Sequence, residues 1–429
     1  MKIIMQKISI VGFGKIGQAV GANVLQHGLK LNAVDINPHL AESFAFGQYY
    51  TNEPQLTDIF RNRFDQGALS ISNDFSSVRG SAAIIVCIPL LVDDQKQILK
   101  QRFLDCFNQL APYLSDQCIV SDETTVPVGF TRGEILPALE LAGMKHGRDF
   151  YLVHSPERIK SGSMLNQLNA TIKVVGGIDQ NALMAGVELY KKFIPADLVE
   201  PVTNVEAAEM VKLAGMVYRD INIALANQLA QFAHRLNIDL TEIIRLTNTD
   251  GEAFILDPGI GVGGHCTPVY PYFLIDNFRQ QGMDFSLAKS ARVINDAMAR
   301  FAINQIDKRD AIKSVLLLGL AFRPEVKEDL FSTTYLLKER LQELSIQTYL
   351  NDPYFSLVEM QQKGFQPVKD VYAIKTEAVI LVTAHAAYKD IDWKRLAGNG
   401  CRYVLDGRNM LSADSIRSAG LEYIGIGRP

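Results

Sequence analysis

A chain of 429 residues with 48% hydrophobic and 21% charged side chains has ordinary globular composition and is long enough for two or three domains, each with its own core. A net charge of −4 without a basic run argues against a dedicated nucleic-acid surface or a polybasic membrane anchor, so an acidic metabolite would be held by individual cations. Five widely spaced cysteines with no C-x-x-C fit a reducing compartment without disulfides or structural zinc; no apolar run approaches the roughly 20 residues of a membrane span, Met1–Val11 is too short for a signal peptide, and a cytoplasmic protein is expected.

Ile8–Val11 reads as a short strand. It is followed by Gly12, Phe13, Gly14, Lys15, Ile16 and Gly17, an amphipathic run through Leu25, and a second strand at Leu31–Val34 that ends in Asp35, with Asn37 just beyond. Strand, Gly-x-Gly-x-x-Gly, helix, strand and acid in that order form a dinucleotide-binding arrangement. Gly12 would make the tight turn, Gly14 would admit the pyrophosphate to the helix N-terminus, and Gly17 would let helix and sheet approach. Asp35 falls where a carboxylate holds the ribose hydroxyls, which favours NAD over its 2′-phosphorylated counterpart. Further strands are expected at Ala82–Ile88, with Cys87 and Pro89 at its end, and at Cys118–Ser121, which runs into E-T-T-V-P-V-G-F-T at Glu123–Thr131. Both end where a doubly wound sheet places its ligand loops, and Thr125 is the foremost candidate there. Tyr151–His154 leads into S-P-E-R at Ser155–Arg158; taken alone, the Glu157 and Arg158 pair is more often a surface turn. Thr171–Gly177 reads as the last strand of this domain, which closes near residue 195.

From Val205 to Leu236 there is no proline, and Met210, Leu213, Val217, Ile221, Leu225, Leu229 and Phe232 recur at helical spacing. A helix of about 30 residues exceeds the need of one small domain and suits a link between domains or a partner subunit. Lys212, Met216, Arg219 and Ile223 share another face, where a lysine is as readily solvated as functional. In Asp257–Phe273, four glycines precede Cys266, and Pro258, Pro268 and Pro271 bracket the run, so the backbone can approach a ligand and regular structure is interrupted. A cysteine so placed, beside His265, is a candidate nucleophile, although a lone cysteine beside a tight turn is more often inert. Strands at Ser314–Gly319, Ile346–Leu350, Ala378–Thr383 and Tyr403–Leu405 give a second parallel unit. Its strand-end residues Asp352, Asp406 and Arg408 read more readily as solvated than as ligands. The expected fold class is α/β, with two doubly wound Rossmann-like domains joined by a long central helix.

Gly12–Gly17 with Asp35, E-T-T-V-P at Glu123, S-P-E-R at Ser155, K-L at Lys212, Y-R-D-I-N-I-A-L-A-N at Tyr218, G-V-G-G-H-C at Gly261 and G-L-A-F-R-P at Gly319 together resemble the UDP-glucose/GDP-mannose 6-dehydrogenase family, and within it the branch that oxidises UDP-N-acetylhexosamines. The resemblance implies an NAD-binding domain over 1–195, a central helical dimerisation and catalytic region over 196–302, and a nucleotide-sugar-binding domain over 303–429. It implies oxidation of the sugar C6 alcohol to a carboxylate by two hydride transfers to NAD through a thiohemiacetal and a thioester on Cys266. Lys212 would stabilise negative oxygen, and Thr125 and Glu157 would handle water and protons. Arg158, Arg219, Phe254, Gly263 and Gly264 fall among the substrate contacts. Arg323 matches a lysine near the phosphates, and Arg292 matches an arginine that reaches the neighbouring subunit's substrate in a homodimer or higher oligomer. The chain also departs from the family pattern: Met216 replaces an asparagine, Tyr270 an aspartate, Glu252 and Phe331 arginines, and Leu90 and Leu91 a Thr-Pro. These changes leave two other readings open: the same scaffold with arrested or redirected oxidation, and a protein that binds NAD and a nucleotide sugar without turnover.

Overall fold

The computed structural model describes residues 7–48, 51, 54–93, 95–159, 162–307 and 311–428. It divides into two compact units, one of residues 1–215 with 272–277 and the other of residues 216–271 with 278–429.

The first unit is built on a sheet of β1 (Lys7–Val11), β2 (Lys30–Val34), β3 (Leu69–Ser72), β4 (Ala83–Val86), β5 (Cys118–Asp122), β6 (Phe150–His154), β7 (Lys173–Gly177) and β8 (Val199–Pro201). The spatial order is β3-β2-β1-β4-β5-β6-β7-β8, and every pairing is parallel except β6 with β7. The order reverses between β1 and β4, and ligands of doubly wound sheets settle beyond the strand ends at that reversal. Ile8 and Ile10 of β1, Ala83 and Ile85 of β4, and Val20 and Val24 of the Lys15–Gln26 helix share one core. The residues expected to form the last strand do form β7, but β8 lies outside it and ends the sheet.

The second unit holds an all-parallel sheet of β9 (Ser314–Leu318), β10 (Gln347–Asn351), β11 (Gln366–Pro367), β12 (Ala378–Leu381), β13 (Tyr403–Asp406) and β14 (Glu422–Gly425), ordered β11-β10-β9-β12-β13-β14. Successive strand residues point to opposite faces, so Val315 and Leu317 enter one core while Leu316 and Leu318 enter another. A 32-residue helix, Val205–Leu236, connects the two Rossmann-like units, its first turns counted with one and the rest with the other. The acids at the strand ends are not solvated as expected. Asp352 takes the N–H groups of Leu320 and Ala321, and Asp406 takes those of Arg408 and Leu411; both are buried because they satisfy amides the strands leave open. Among the described residues no helix is long and apolar enough to cross a membrane.

Candidate active site

The glycine-rich turn is shaped by two tight contacts. Gly12 adopts φ +87°, and a Cβ on Gly17 would lie 2.0 Å from the Gly12 carbonyl oxygen. Gly14, by contrast, has nothing within 4 Å of a Cβ position. It heads the Lys15–Gln26 helix, which has neither a side-chain cap nor an acid in its first turn, so its leading N–H groups suit an anion. Beside this turn lies a cavity of about 450 Å³, lined by Gly12, Gly14, Asp35, Cys87, Pro89 and Arg102 among others. Open glycine, uncapped helix and strand-end carboxylate together fit a dinucleotide.

The structure refines several expected cofactor contacts. Phe13 turns its ring into the core against Phe44 and Phe60, so only its backbone faces the turn. Lys15 is exposed and Ile16 half-buried. Asn37 caps the Pro38–Ala45 helix by accepting from His39 N–H at 3.1 Å. Asp35 accepts from Phe13 N–H at 2.8 Å and Asn37 N–H at 2.9 Å, so it holds the turn as well as lining the cavity. Asp35→Asn keeps acceptors for these amides and removes the charge. It is expected to weaken NAD binding about tenfold and narrow the preference over the 2′-phosphorylated cofactor, as dissociation constants for both would show.

At the ends of β5 and β6 the unit gathers buried charge. Thr125 is buried, and its neighbour Thr124 donates to Ile88 O at 2.6 Å, joining the loops after β4 and β5. Glu157, for which a surface turn is the commoner reading only when the pair is taken alone, has a side chain only 7% exposed. Its carboxylate accepts from Arg158 N–H at 2.7 Å and Ile159 N–H at 3.2 Å and pairs with Lys173 at 2.8 Å. Burial pushes the Glu157 carboxyl up, but Lys173 and these hydrogen bonds outweigh it and hold the group below its ordinary range. Arg158 turns away to donate to Ile172 O. Lys212, for which a solvated face was an equal reading, is half-buried and donates to the Glu157 carbonyl at 2.8 Å. One turn earlier on the same helix, buried Glu209 accepts from Gly129 N–H at 2.5 Å and Thr131 N–H at 2.8 Å. The start of the long helix is thus bonded to the loops that carry Thr125 and Glu157. Sequence reading passed over Lys173 and Glu209, because a lysine in a strand and a glutamate on a helix carry no motif.

In the second unit the glycine-rich loop is held by side chains of the N-I-A-L-A-N segment. Asn222 donates to Phe254 O at 2.6 Å and accepts from Leu256 N–H at 2.8 Å, while Asn227 accepts from Gly259 N–H at 2.9 Å. Ile260 N–H bonds Gly407 O, and Gly264 N–H bonds Leu330 O. A Cβ on Gly263 or Gly264 would lie within 3.0 Å of Phe322, so both glycines permit a close approach to it. Cys266 stands half-buried at the entrance of the Tyr270–Gln280 helix, its carbonyl accepting from Val269 and Tyr270 N–H. Negative charge is favoured near such a helix start. Burial pushes the Cys106, Cys118 and Cys401 thiols up to about 12, and burial with nearby Glu123 pushes Cys87 well up.

Arg219, Glu252 and Phe254 are exposed and Met216 is half-buried. Arg323 pairs with Glu328 at 3.3 Å. Phe331 adopts φ +49° beside Gly263. Arg292, matched to an arginine that reaches outward, is buried and bonded to Asp220 at 2.6 Å and to Asp296 within its own chain.

Residues 6–194 match the NAD binding domain of the UDP-glucose/GDP-mannose dehydrogenase family, residues 206–297 its central domain and residues 316–413 its UDP binding domain. The chain belongs to that family. The family's cofactor is therefore this protein's, NAD. UDP-N-acetyl-D-mannosamine dehydrogenase of Pyrococcus horikoshii is 29% identical, with 98% of this chain and 99% of the relative aligned. NDP-N-acetyl-D-galactosaminuronic acid dehydrogenase of Ralstonia nicotianae is 27% identical over 95% and 97%. Among solved structures, the Pyrococcus horikoshii UDP-D-ManNAc dehydrogenase superposes with a TM-score of 0.88 at 27% identity, covering 98% of this chain and 99% of its own. The UDP-N-acetyl-mannosamine dehydrogenase of Staphylococcus aureus does so at 0.82 and 26%, covering 98% of each.

Proposed function

We propose that the protein oxidises C6 of a UDP-activated N-acetylhexosamine to the uronic acid, with Cys266 as nucleophile and Lys212 as the cation for developing negative oxygen. The observation that carries this reading is the Lys212 ammonium, fixed on the Glu157 carbonyl instead of extended as a surface lysine. The names of the full-length relatives supply the sugar class. NAD, held by the Gly12–Gly17 turn and Asp35, would supply the hydride acceptor for each oxidation. The Cys266 thiolate adds to the C6 aldehyde, the resulting thiohemiacetal loses the second hydride, and water hydrolyses the thioester to carboxylate and thiol. Lys212 stabilises the oxyanions, and Thr125 and Glu157 hold water and move protons. We read the assembly as a homodimer or higher homo-oligomer; Leu225 and Phe232, exposed on the long helix, suit burial by a second copy.

A second reading, oxidation arrested or redirected, is favoured by Tyr270. It begins the helix whose first N–H bonds Cys266, and a phenol, neutral near pH 7, does not replace a carboxylate's charge. Counting NADH formed per sugar consumed across a panel of UDP-sugars separates the readings. Two supports the acid-forming enzyme and one an arrested oxidation; none, with measurable sugar binding, supports a protein that binds without turnover. Tyr270→Asp is expected to raise acid formation, and an unchanged rate would remove the missing carboxylate as its limit.

A further inference from the structure

Behind Glu157 lies a buried cation that the proposed reaction does not use. Lys173 of β7, 5% exposed, pairs with Glu157 at 2.8 Å and with Glu123, at the end of β5, at 3.0 Å; its ammonium also donates to Ser155 O at 3.3 Å. The Tyr190 ring lies 4.9 Å from the ammonium, and the Tyr190 hydroxyl donates to Glu123 at 2.8 Å and meets Ser121 Oγ at 2.7 Å. A buried ion pair is weak support for stability, because apolar residues of like volume often serve as well or better. Three charges from separate strand ends therefore call for another role. We propose that Lys173 is a positioning residue: by pairing with Glu123 and Glu157 together it fixes the turn at 155–159, and with it the carbonyl that holds Lys212.

The main route for this effect runs through the Glu157 carboxylate, beside the direct bond from Lys173 to Ser155 O. One oxygen of Glu157 is held by Lys173 and the other by the Arg158 and Ile159 amides, so moving the ammonium moves the turn, and the Glu157 carbonyl belongs to that turn. The charge count supports the same division of labour. Two carboxylates share one buried ammonium, and burial pushes Glu123 up to about 7, against Lys173 and with Glu157 adding to the rise. As pH falls through about 7, Glu123 takes up the proton while Glu157 keeps its charge. The other titratable or charged groups facing this trio are Tyr190 from the Gln180–Tyr190 helix, Cys87 after β4, Asp122 of β5 and Lys212 of the long helix.

The inference rests on Lys212 belonging to the reaction centre, so its test includes a readout that needs no sugar. In the full-length protein, Lys212 acetylation by acetic anhydride is followed against pH by mass spectrometry, with NAD affinity as the control for folding. Lys173→Met is expected to displace the Lys212 curve by about one pH unit, and Lys173→Arg to restore most of it. Glu123→Gln, nearly isosteric, guards against a Lys173→Met variant that does not fold. It should remove the inflection near pH 7 that titration of Glu123 is expected to put in the wild-type curve. With UDP-N-acetylmannosamine and NAD, Lys173→Met should also move the acid limb of kcat/KM to higher pH, because Glu157 without its cation takes up a proton more readily. Lys212 curves of Glu123→Gln, and of a Lys173→Met variant that binds NAD normally, that superimpose on wild type overturn the proposal. Shifted Lys212 curves in a protein that turns over no UDP-sugar would retain the positioning role and defeat only the functional reading.

Discussion

Replacing Cys266 by serine is expected to lower acid formation by about a thousandfold or more while leaving NAD affinity unchanged. A serine hydroxyl keeps most of the side-chain volume, and the anchors of the loop, Asn222, Asn227, Gly407 and Leu330, all act on backbone or on other residues, so the loop has no reason to move. On the proposed mechanism, what is lost is a sulfur nucleophile that forms a readily hydrolysed thioester. The first hydride transfer does not need it, so rapid mixing should still show a burst of NADH close to one equivalent of enzyme. Undiminished acid production by Cys266→Ser would rule Cys266 out as nucleophile. The buried cysteines make poor substitutes, because burial holds the Cys106, Cys118 and Cys401 thiols near 12.

The second large effect is expected at Gly17. A methyl there would lie 2.0 Å from the Gly12 carbonyl oxygen, inside any van der Waals distance, and the atom in the way is backbone that cannot rotate aside. The turn and the Lys15–Gln26 helix must separate, which costs about 2–3 kcal/mol of stability and shifts the N–H groups at the helix start away from the pyrophosphate. Gly17→Ala should therefore show a lower denaturation midpoint and NAD binding weakened by at least roughly tenfold. Gly14→Ala is the control: it has open space, and a methyl there should leave stability nearly unchanged while crowding the cofactor. Equal stability of the two variants would show that the close approach at Gly17 does not govern the turn.

The dinucleotide turn was readable from sequence because its parts are neighbours: strand, three glycines, helix and acid lie within about 30 residues, and each has one physical reason for its type. The long helix was readable because its apolar stripe runs without interruption by proline. The strands that escaped notice all lie at sheet edges: Leu69–Ser72 with a half-exposed face, the very short Val199–Pro201 and Gln366–Pro367 that end in proline, and the largely buried Glu422–Gly425. Strand-end acids were misread for a different reason. Asp352 and Asp406 bond amides a few residues away or across the sheet, and a sequence does not say which amides a strand end leaves open. Lys173 was least visible of all. Its partners Glu123 and Glu157 come from other strand ends, and the segment T-I-K-V-V-G-G gives no hint that its one charge points inward.

Asn222 holds the Cys266 loop through the Phe254 carbonyl and the Leu256 N–H, and Asn227 through the Gly259 N–H. Main-chain atoms are the same in every residue but proline and are indifferent to what side chains project from them. The exposed positions 252 and 254 can therefore be rewritten without changing the path of the loop. The clamp makes this stretch an exchangeable cassette: grafting it between relatives should transfer preference among sugars while the fold, and the cofactor it binds, stay as they are.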